Sequence, residues 1–243
     1  MAIQAKAIEE KLPSTLLRSP GAKPGPNKAG TAKTGNCPPA PHIPEMNSLS
    51  RKAGRLSAPD LFGHAAAPPG FQYAPGILTE AEEAYCVSRF AGLPFKPFEF
   101  HGYLGNRRVV SYGHRYDYSA QRLRPAEQMP DFLEYLKSLA GQFSGIPAAA
   151  FEQALVSEYA PGAGIGWHRD KAMFEDVVAL SFVAPCTLRL RRKVDAAWKR
   201  RSIGIEPRSA YLLRGPVRNA WEHSIAPMDR LRYSVTFRTV RSK

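Results

Sequence analysis

Apolar positions keep a helical period over one stretch of the chain and then break into short alternating runs. Phe132, Leu133, Leu136, Leu139, Ala140 and Phe143 recur at three- and four-residue steps, which predicts a helix over residues 130–143 with one face buried. Upstream, Leu78-Thr79-Glu80-Ala81-Glu82 reads as a helix start, because Thr79 and Glu82 are spaced to cap each other's backbone N–H groups. Gly92-Leu93-Pro94 ends that helix. Beyond Pro147 the pattern predicts strands at 154–159, 177–183, 187–192, 210–213 and 231–240. Pro161-Gly162-Ala163-Gly164 and Gly215-Pro216 punctuate them. Helices followed by a run of strands predict an α+β, mainly β fold: an antiparallel sandwich or jelly roll with helices outside. No internal repeat is visible.

The pattern fades before residue 70. Residues 1–69 hold 11 of the 22 prolines, with nine Lys/Arg against four Asp/Glu. Large apolar residues are scarce there, so little burial offsets the entropy of ordering. This predicts a disordered basic arm over 1–69, either a solvated tail or a tether to nucleic acid, and a folded domain over 70–243. Within the domain, residues 70–150 supply supporting helices and 151–243 the jelly-roll core. The whole chain of 243 residues carries a net charge of +13 and a pI near 9.9. That balance excludes an acidic solvating protein and favours a polyanionic partner. Three cysteines, Cys37, Cys86 and Cys186, are too scattered for a disulfide framework or a CxxC zinc site. Cys86 and Cys186 read as core thiols. No segment resembles a signal h-region or a membrane span, so the expectation is a soluble, cytoplasmic monomer without membrane contact.

Candidate chemistry begins at Trp167-His168-Arg169-Asp170. In extended chain, residues two apart point to one side, so the His168 imidazole and Asp170 carboxylate converge. One distant histidine would complete a two-histidine, one-carboxylate face with open positions, the arrangement suited to non-haem iron and O₂. His223 is available downstream, just before Leu231-Arg232-Tyr233-Ser234-Val235-Thr236-Phe237-Arg238. Alternation in that last run places Tyr233, Val235 and Phe237 on one face and Arg232, Ser234, Thr236 and Arg238 on the other. The second face is either solvated or lines a polar cavity. His101 and His114 are not assigned as ligands, and Trp167 and Trp221 are expected in the walls of the site.

Residues from about 98 to 240 resemble the AlkB family of Fe(II)/2-oxoglutarate-dependent dioxygenases, which repair alkylated nucleic acids. The resemblance rests on Ser157-Glu158-Tyr159-Ala160-Pro161-Gly162-Ala163, His168-x-Asp170, His223 and the closing strand Arg232-x-Ser234-x-Thr236-x-Arg238. It implies a double-stranded β-helix, with Fe(II) held by His168, Asp170 and His223. It also implies that Arg232, assisted by Tyr159, clamps the distal carboxylate of 2-oxoglutarate, with Arg238 at the metal end. O₂ is the co-substrate. Oxidation of an N-methyl group would release formaldehyde from DNA or RNA, leaving succinate and CO₂. Family members usually carry Asn where this chain has Ser157 and Ser234, so cosubstrate contacts there run through shorter hydroxyls. Well-known repair members also carry an acidic residue where this chain has Ala172, which opens the alternative of a protein side chain as substrate. A non-enzymatic nucleic-acid-binding protein is the other alternative, against which the three convergent candidate ligands argue.

Residues 106–118 interleave aromatic and basic side chains. By the resemblance, Arg107, Arg108, Tyr112, Arg115, Tyr116 and Tyr118 belong to a nucleotide-recognition lid, with Arg169 beside it. An ordinary hairpin with Tyr112 and Tyr116 in the core is the alternative. Along Thr187–Lys193, Leu alternates with Arg189, Arg191 and Lys193, which form either a ridge for a nucleic-acid backbone or a charged strand that discourages aggregation.

Overall fold

Thr79 begins the first helix as its spacing from Glu82 predicts. Its hydroxyl accepts the Glu82 N–H at 3.2 Å, and the Glu82 carboxylate accepts the Thr79 N–H at 2.6 Å. Helix α1 spans Glu80–Phe90 and α2 spans Asp131–Ser144. The second stops where Gly145 takes a φ of 71°, a left-handed conformation that glycine adopts without strain. The structure, a computed structural model, describes residues 67–100, 103–117 and 119–241.

The strands in chain order are β1 (Phe71–Ala74), β2 (Lys96–Phe100), β3 (Tyr103–Tyr112), β4 (His114–Asp117), β5 (Arg122–Pro125), β6 (Phe151–Tyr159), β7 (Ile165–His168) and β8 (Phe174–Phe182). They continue with β9 (Cys186–Val194), β10 (Ala197–Ile205), β11 (Ser209–Leu213), β12 (Glu222–Ile225) and β13 (Arg232–Val240), with a short helix α3 (Pro216–Ala220) before β12. A major sheet runs β1-β11-β8-β13-β6-β3-β2, and a minor sheet runs β10-β9-β12-β7. Every pairing in both is antiparallel. This is the expected jelly roll, with β4 and β5 as a separate hairpin.

Two apolar layers hold it together. The outer layer joins α1 and α2 to one face of the major sheet, through Phe90, Leu133 and Leu136 against Val178, Leu180, Val235 and Phe237. The inner layer lies between the sheets and includes Val177, Leu188, Leu190, Tyr211, Trp221 and Ile225. Each fully buried Leu or Phe contributes about 1.5–3 kcal/mol, so both helices are fixed chiefly by this burial. As predicted, Tyr233, Val235 and Phe237 face the helices, which turns Arg232, Ser234, Thr236 and Arg238 towards the space between the sheets.

Two expectations change. Residues 70–150 are not helices and lid alone, because β1 and β3 pair with β11 and β6 inside the major sheet. Their sequences hide this: β1 is only four residues long, and β3 carries Arg107 and Arg108 at its centre, which breaks the apolar alternation. The domain also starts slightly earlier than residue 70. Pro68 is buried, and the Pro69 carbonyl accepts the Val217 N–H at 3.1 Å. The rest of the expected arm, residues 1–66, lies outside the described residues. Among the described residues, no helix is long and apolar enough to cross a membrane.

Candidate active site

Register, more than local sequence, assembles the site. Strand β7 pairs with β12 so that His168 faces His223 and Ile165 faces Ile225, with a bulge between the two pairs. The extra residue lets Ile165 and His168, an odd number of positions apart, point inward together. Trp167 is thereby turned to the other face, where its ring lies under the Arg191 guanidinium at 4.3 Å. Gly164 sets the close approach of the two strands: a Cβ there would stand 2.8 Å from the Ile225 carbonyl oxygen and the Pro227 nitrogen.

The rings of His168 and His223 come within 4.1 Å, centroid to centroid. His223 Nε2 is 3.6 Å from Asp170 Oδ2. His168 Nδ1 lies 2.9 Å from the Gly166 carbonyl, which can only accept, so Nδ1 carries the proton and Nε2 keeps its lone pair. Burial lowers the pKa of both imidazoles, that of His223 to about 3, where His168 adds to the effect and Asp170 opposes it. Both rings are therefore neutral at pH 7, the state a metal requires. Burial alone would raise the Asp170 carboxyl, but Arg238 with His223, His168 and Arg218 outweighs it and holds the group well below the usual carboxylate range.

Arg238 donates to Asp170 Oδ1 from Nη2 at 2.8 Å and from Nε at 3.1 Å, and to Gln153 Oε1 at 3.0 Å. One carboxylate oxygen is thus occupied while Oδ2 faces the His223 imidazole. Among the described residues, no group of three or more His, Cys, Asp or Glu side chains is drawn together closely enough to hold a metal ion. The three candidates nonetheless offer two neutral imidazoles and one ionised carboxylate on one wall, a donor set that fits Fe(II).

Arg232 is fully buried, and its Nε donates to Ser181 Oγ at 3.1 Å. Its guanidinium sits over the Tyr159 ring at 5.1 Å, and Tyr159 is its register partner. Both terminal nitrogens, Nη1 and Nη2, are buried without a hydrogen-bond partner. A forked cation left in this state matches a carboxylate, which would accept both N–H groups in parallel. Ser157, Ser234 and Ser181 occupy one rung across β6, β13 and β8, all buried.

The residues expected on the substrate side separate. Arg107, Arg115, Tyr116 and Arg169 line an open cleft of about 1270 Å³ that also reaches His168, Asp170 and Arg238. Arg108 and Tyr112 do not. Arg108 alternates to the opposite face of β3, where it pairs with Glu158 at 2.6 Å and lies over Phe95. Tyr112 is 4% exposed within the helix-side core, so its apolar ring is part of the packing and the lid assignment is corrected. Tyr118 lies outside the described residues. Ser181, Gln153 and Arg218 were not foreseen. Arg218 is buried and donates to the carbonyls of Lys171 and Phe174, which fixes the turn after Asp170. Only the register of β8 and β6 against β13 could have pointed to Ser181 and Gln153.

The sequence profile of the 2OG-Fe(II) oxygenase superfamily matches residues 72–238. The chain is 27% identical over 199 residues to the Arabidopsis thaliana alkylated DNA repair protein ALKBH8 homolog, covering 71% of this chain and 56% of that protein. It is 31% identical over 125 residues to the Danio rerio probable RNA/DNA demethylase ALKBH6, covering 50% of each. The chain thus spans about half the length of these two relatives. The solved structure of OsALKBH1 superposes with a TM-score of 0.55 at 15% identity, over 72% of this chain and 99% of that one, a likeness of fold.

Proposed function

Because the chain belongs to the 2OG-Fe(II) oxygenase superfamily, we propose that it removes N-alkyl groups from bases of DNA or RNA by oxidation. Membership implies Fe(II), 2-oxoglutarate and O₂ as cofactor and co-substrates. When bound, they supply the oxidant that places a hydroxyl on the methyl carbon, while 2-oxoglutarate leaves as succinate and CO₂. The hydroxylated methyl group then departs as formaldehyde and the base is restored.

His168, Asp170 and His223 would hold the iron, and Arg232 would hold the distal carboxylate of 2-oxoglutarate with Tyr159 beside it. The observation that carries this reading is the buried Arg232 fork with two unpartnered nitrogens, on the major-sheet strand β13, while the two neutral imidazoles stand on β7 and β12 of the minor sheet. Arg238 keeps Asp170 ionised and aims it, and Gln153 holds Arg238 in turn. The buried hydroxyls of Ser157 and Ser234, register partners beside Arg232 and Tyr159, would offer further hydrogen bonds to the cosubstrate.

A nucleic-acid substrate is supported by the cationic cleft, which Arg107, Arg115 and Arg169 line together with Tyr116, whose ring lies under the Lys171 ammonium at 5.0 Å. Phosphates suit the guanidinium groups, and a base taken out of its stack suits the ring. The two relatives, an alkylated DNA repair protein homolog and a probable RNA/DNA demethylase, point the same way. The test is formaldehyde release that depends on both iron and 2-oxoglutarate, across methylated DNA and RNA oligonucleotides and a methylated peptide. Release from an oligonucleotide supports the reading. Release from the peptide alone overturns the substrate class and leaves the oxidation chemistry standing.

A further inference from the structure

The β9–β10 hairpin carries charge that the site does not use. Residues 186–205 contain seven Lys/Arg, and Asp195 is their one acidic residue. In register, Arg189, Arg191 and Lys193 stand beside Ser202, Arg200 and Trp198, on the face opposite buried Leu188 and Leu190. The β7 bulge brings Trp167 to this same outer face. The Arg191 guanidinium lies between two indoles, 4.3 Å from Trp167 and 4.4 Å from Trp198, and Arg189 lies 5.4 Å from Trp167. Hydrogen bonds from Arg191 Nε to Glu222 at 2.7 Å and from Arg189 Nε to Ser224 at 3.0 Å hold both cations in place. Trp198 is 37% exposed.

We propose that this outer face of the minor sheet is a docking tract for a single nucleic-acid strand, leading away from the cleft. The proposal rests on the nucleic-acid reading above. Trp167 both lines the cleft and begins the ladder, so the tract starts one residue from His168. From β7 to β10 it crosses three strand spacings, about 14 Å. A strand offers phosphates and aromatic faces in alternation, which matches cations interleaved with indoles. An acidic peptide offers carboxylates only and would leave the indole faces without a counterpart. The fixed guanidinium groups lose little further freedom on binding.

The test uses the full chain in two variants, Lys193→Glu/Arg200→Glu and Trp198→Ala, none of which belongs to the candidate active site. Binding of unmodified single strands of about 15 nucleotides, DNA and RNA, is followed by fluorescence anisotropy across a salt series. Turnover is compared on a methylated trinucleotide and a methylated long strand. The double variant is expected to weaken strand binding about tenfold at low salt and to reduce the salt slope by about 1.4. Trp198→Ala should weaken binding several-fold, and trinucleotide turnover should stay at the parental rate in both. Parental affinity and slope in both variants would overturn the tract, and so would an equal loss on the trinucleotide. A polyglutamate peptide that displaces the labelled strand as well as nucleic acid does would overturn the choice of partner. Strand binding that the variants lose, in a protein that demethylates no oligonucleotide, would support the tract and overturn the nucleic-acid substrate. Parental turnover of both lengths by the variants would support the substrate and overturn the tract.

Discussion

His168 and His223 stand directly opposite each other across the antiparallel pairing of β7 with β12, with ring centroids 4.1 Å apart. Their approach depends on one bulge and on one glycine. Gly164→Ala places a methyl group 2.8 Å from two backbone atoms of the neighbouring segment, which cannot swing aside as a side chain can. The expected cost is about 1–3 kcal/mol of stability, with weaker metal binding because β7 is displaced. Urea unfolding combined with metal titration checks both effects, and parental values in each would show that the approach is not critical.

Asp170 and His223 should differ in how they affect the metal-free protein. Asp170→Ala leaves the largely buried Arg238 without its carboxylate, with only the neutral Gln153 amide and the Phe174 ring beside it among the described residues, at an expected cost of about 3 kcal/mol. Removal of the neutral His223 ring should cost less. Both variants should lose metal binding. Chemical denaturation without metal separates them, and equal stabilities would mean that the Arg238–Asp170 pair contributes little.

The state of Arg232 makes a further prediction. Its two unpartnered nitrogens are a burden in the absence of an anion, so Arg232→Met should stabilise the ligand-free protein or leave it unchanged. The same variant should lose the thermal stabilisation that 2-oxoglutarate gives the parent, about 2.7 kcal/mol at a hundredfold excess over Kd. Arg232→Lys should need a much higher 2-oxoglutarate concentration, since Lys lacks the fork. A thermal-shift titration with 2-oxoglutarate decides it, and an undiminished response in Arg232→Met would remove this residue from the clamp.

These residues differ in how visible they are in the sequence. The alternation of Tyr233, Val235 and Phe237 against Arg232, Ser234 and Arg238 gave both faces of β13, because a half-buried strand cannot hide its period. The Thr79–Glu82 spacing gave the start of α1 for a similarly local reason. By contrast, β7 and β12 are four residues each, and the bulge in their pairing erases the alternation. In β10, Lys199, Arg200 and Arg201 follow one another, so its faces cannot be told apart by polarity. Ser181 becomes relevant only once β8 lies beside β13, and nothing local marks it. The opposite fates of neighbouring Arg107 and Arg108 likewise follow from strand geometry that composition cannot express.

Cys86 supplies a prediction in the alkaline range. Burial, with Glu82 and Glu83 nearby, raises its thiol from 9.0 to about 12. At pH 8 about one molecule in ten thousand then carries the thiolate, so a thiol reagent should modify Cys86 only after denaturation. Below pH 9 the thiol is protonated in both folded and unfolded chains, and its effect on stability is constant. Between pH 9 and 12 the unfolded thiol ionises first, so stability falls as pH rises, by up to about 1.4 kcal/mol per unit. Cys86→Ala should flatten that part of the profile, and labelling of native Cys86 at pH 8 would contradict the burial.

The most direct measurement is an anaerobic titration of the protein with Fe(II) and then 2-oxoglutarate, followed by visible charge-transfer absorption. The parent should develop the absorption only when both are present. His168→Ala and His223→Ala should develop none, and Arg232→Lys should reach it only at raised 2-oxoglutarate. Undiminished absorption in the two histidine variants would contradict the assignment of these residues to the iron.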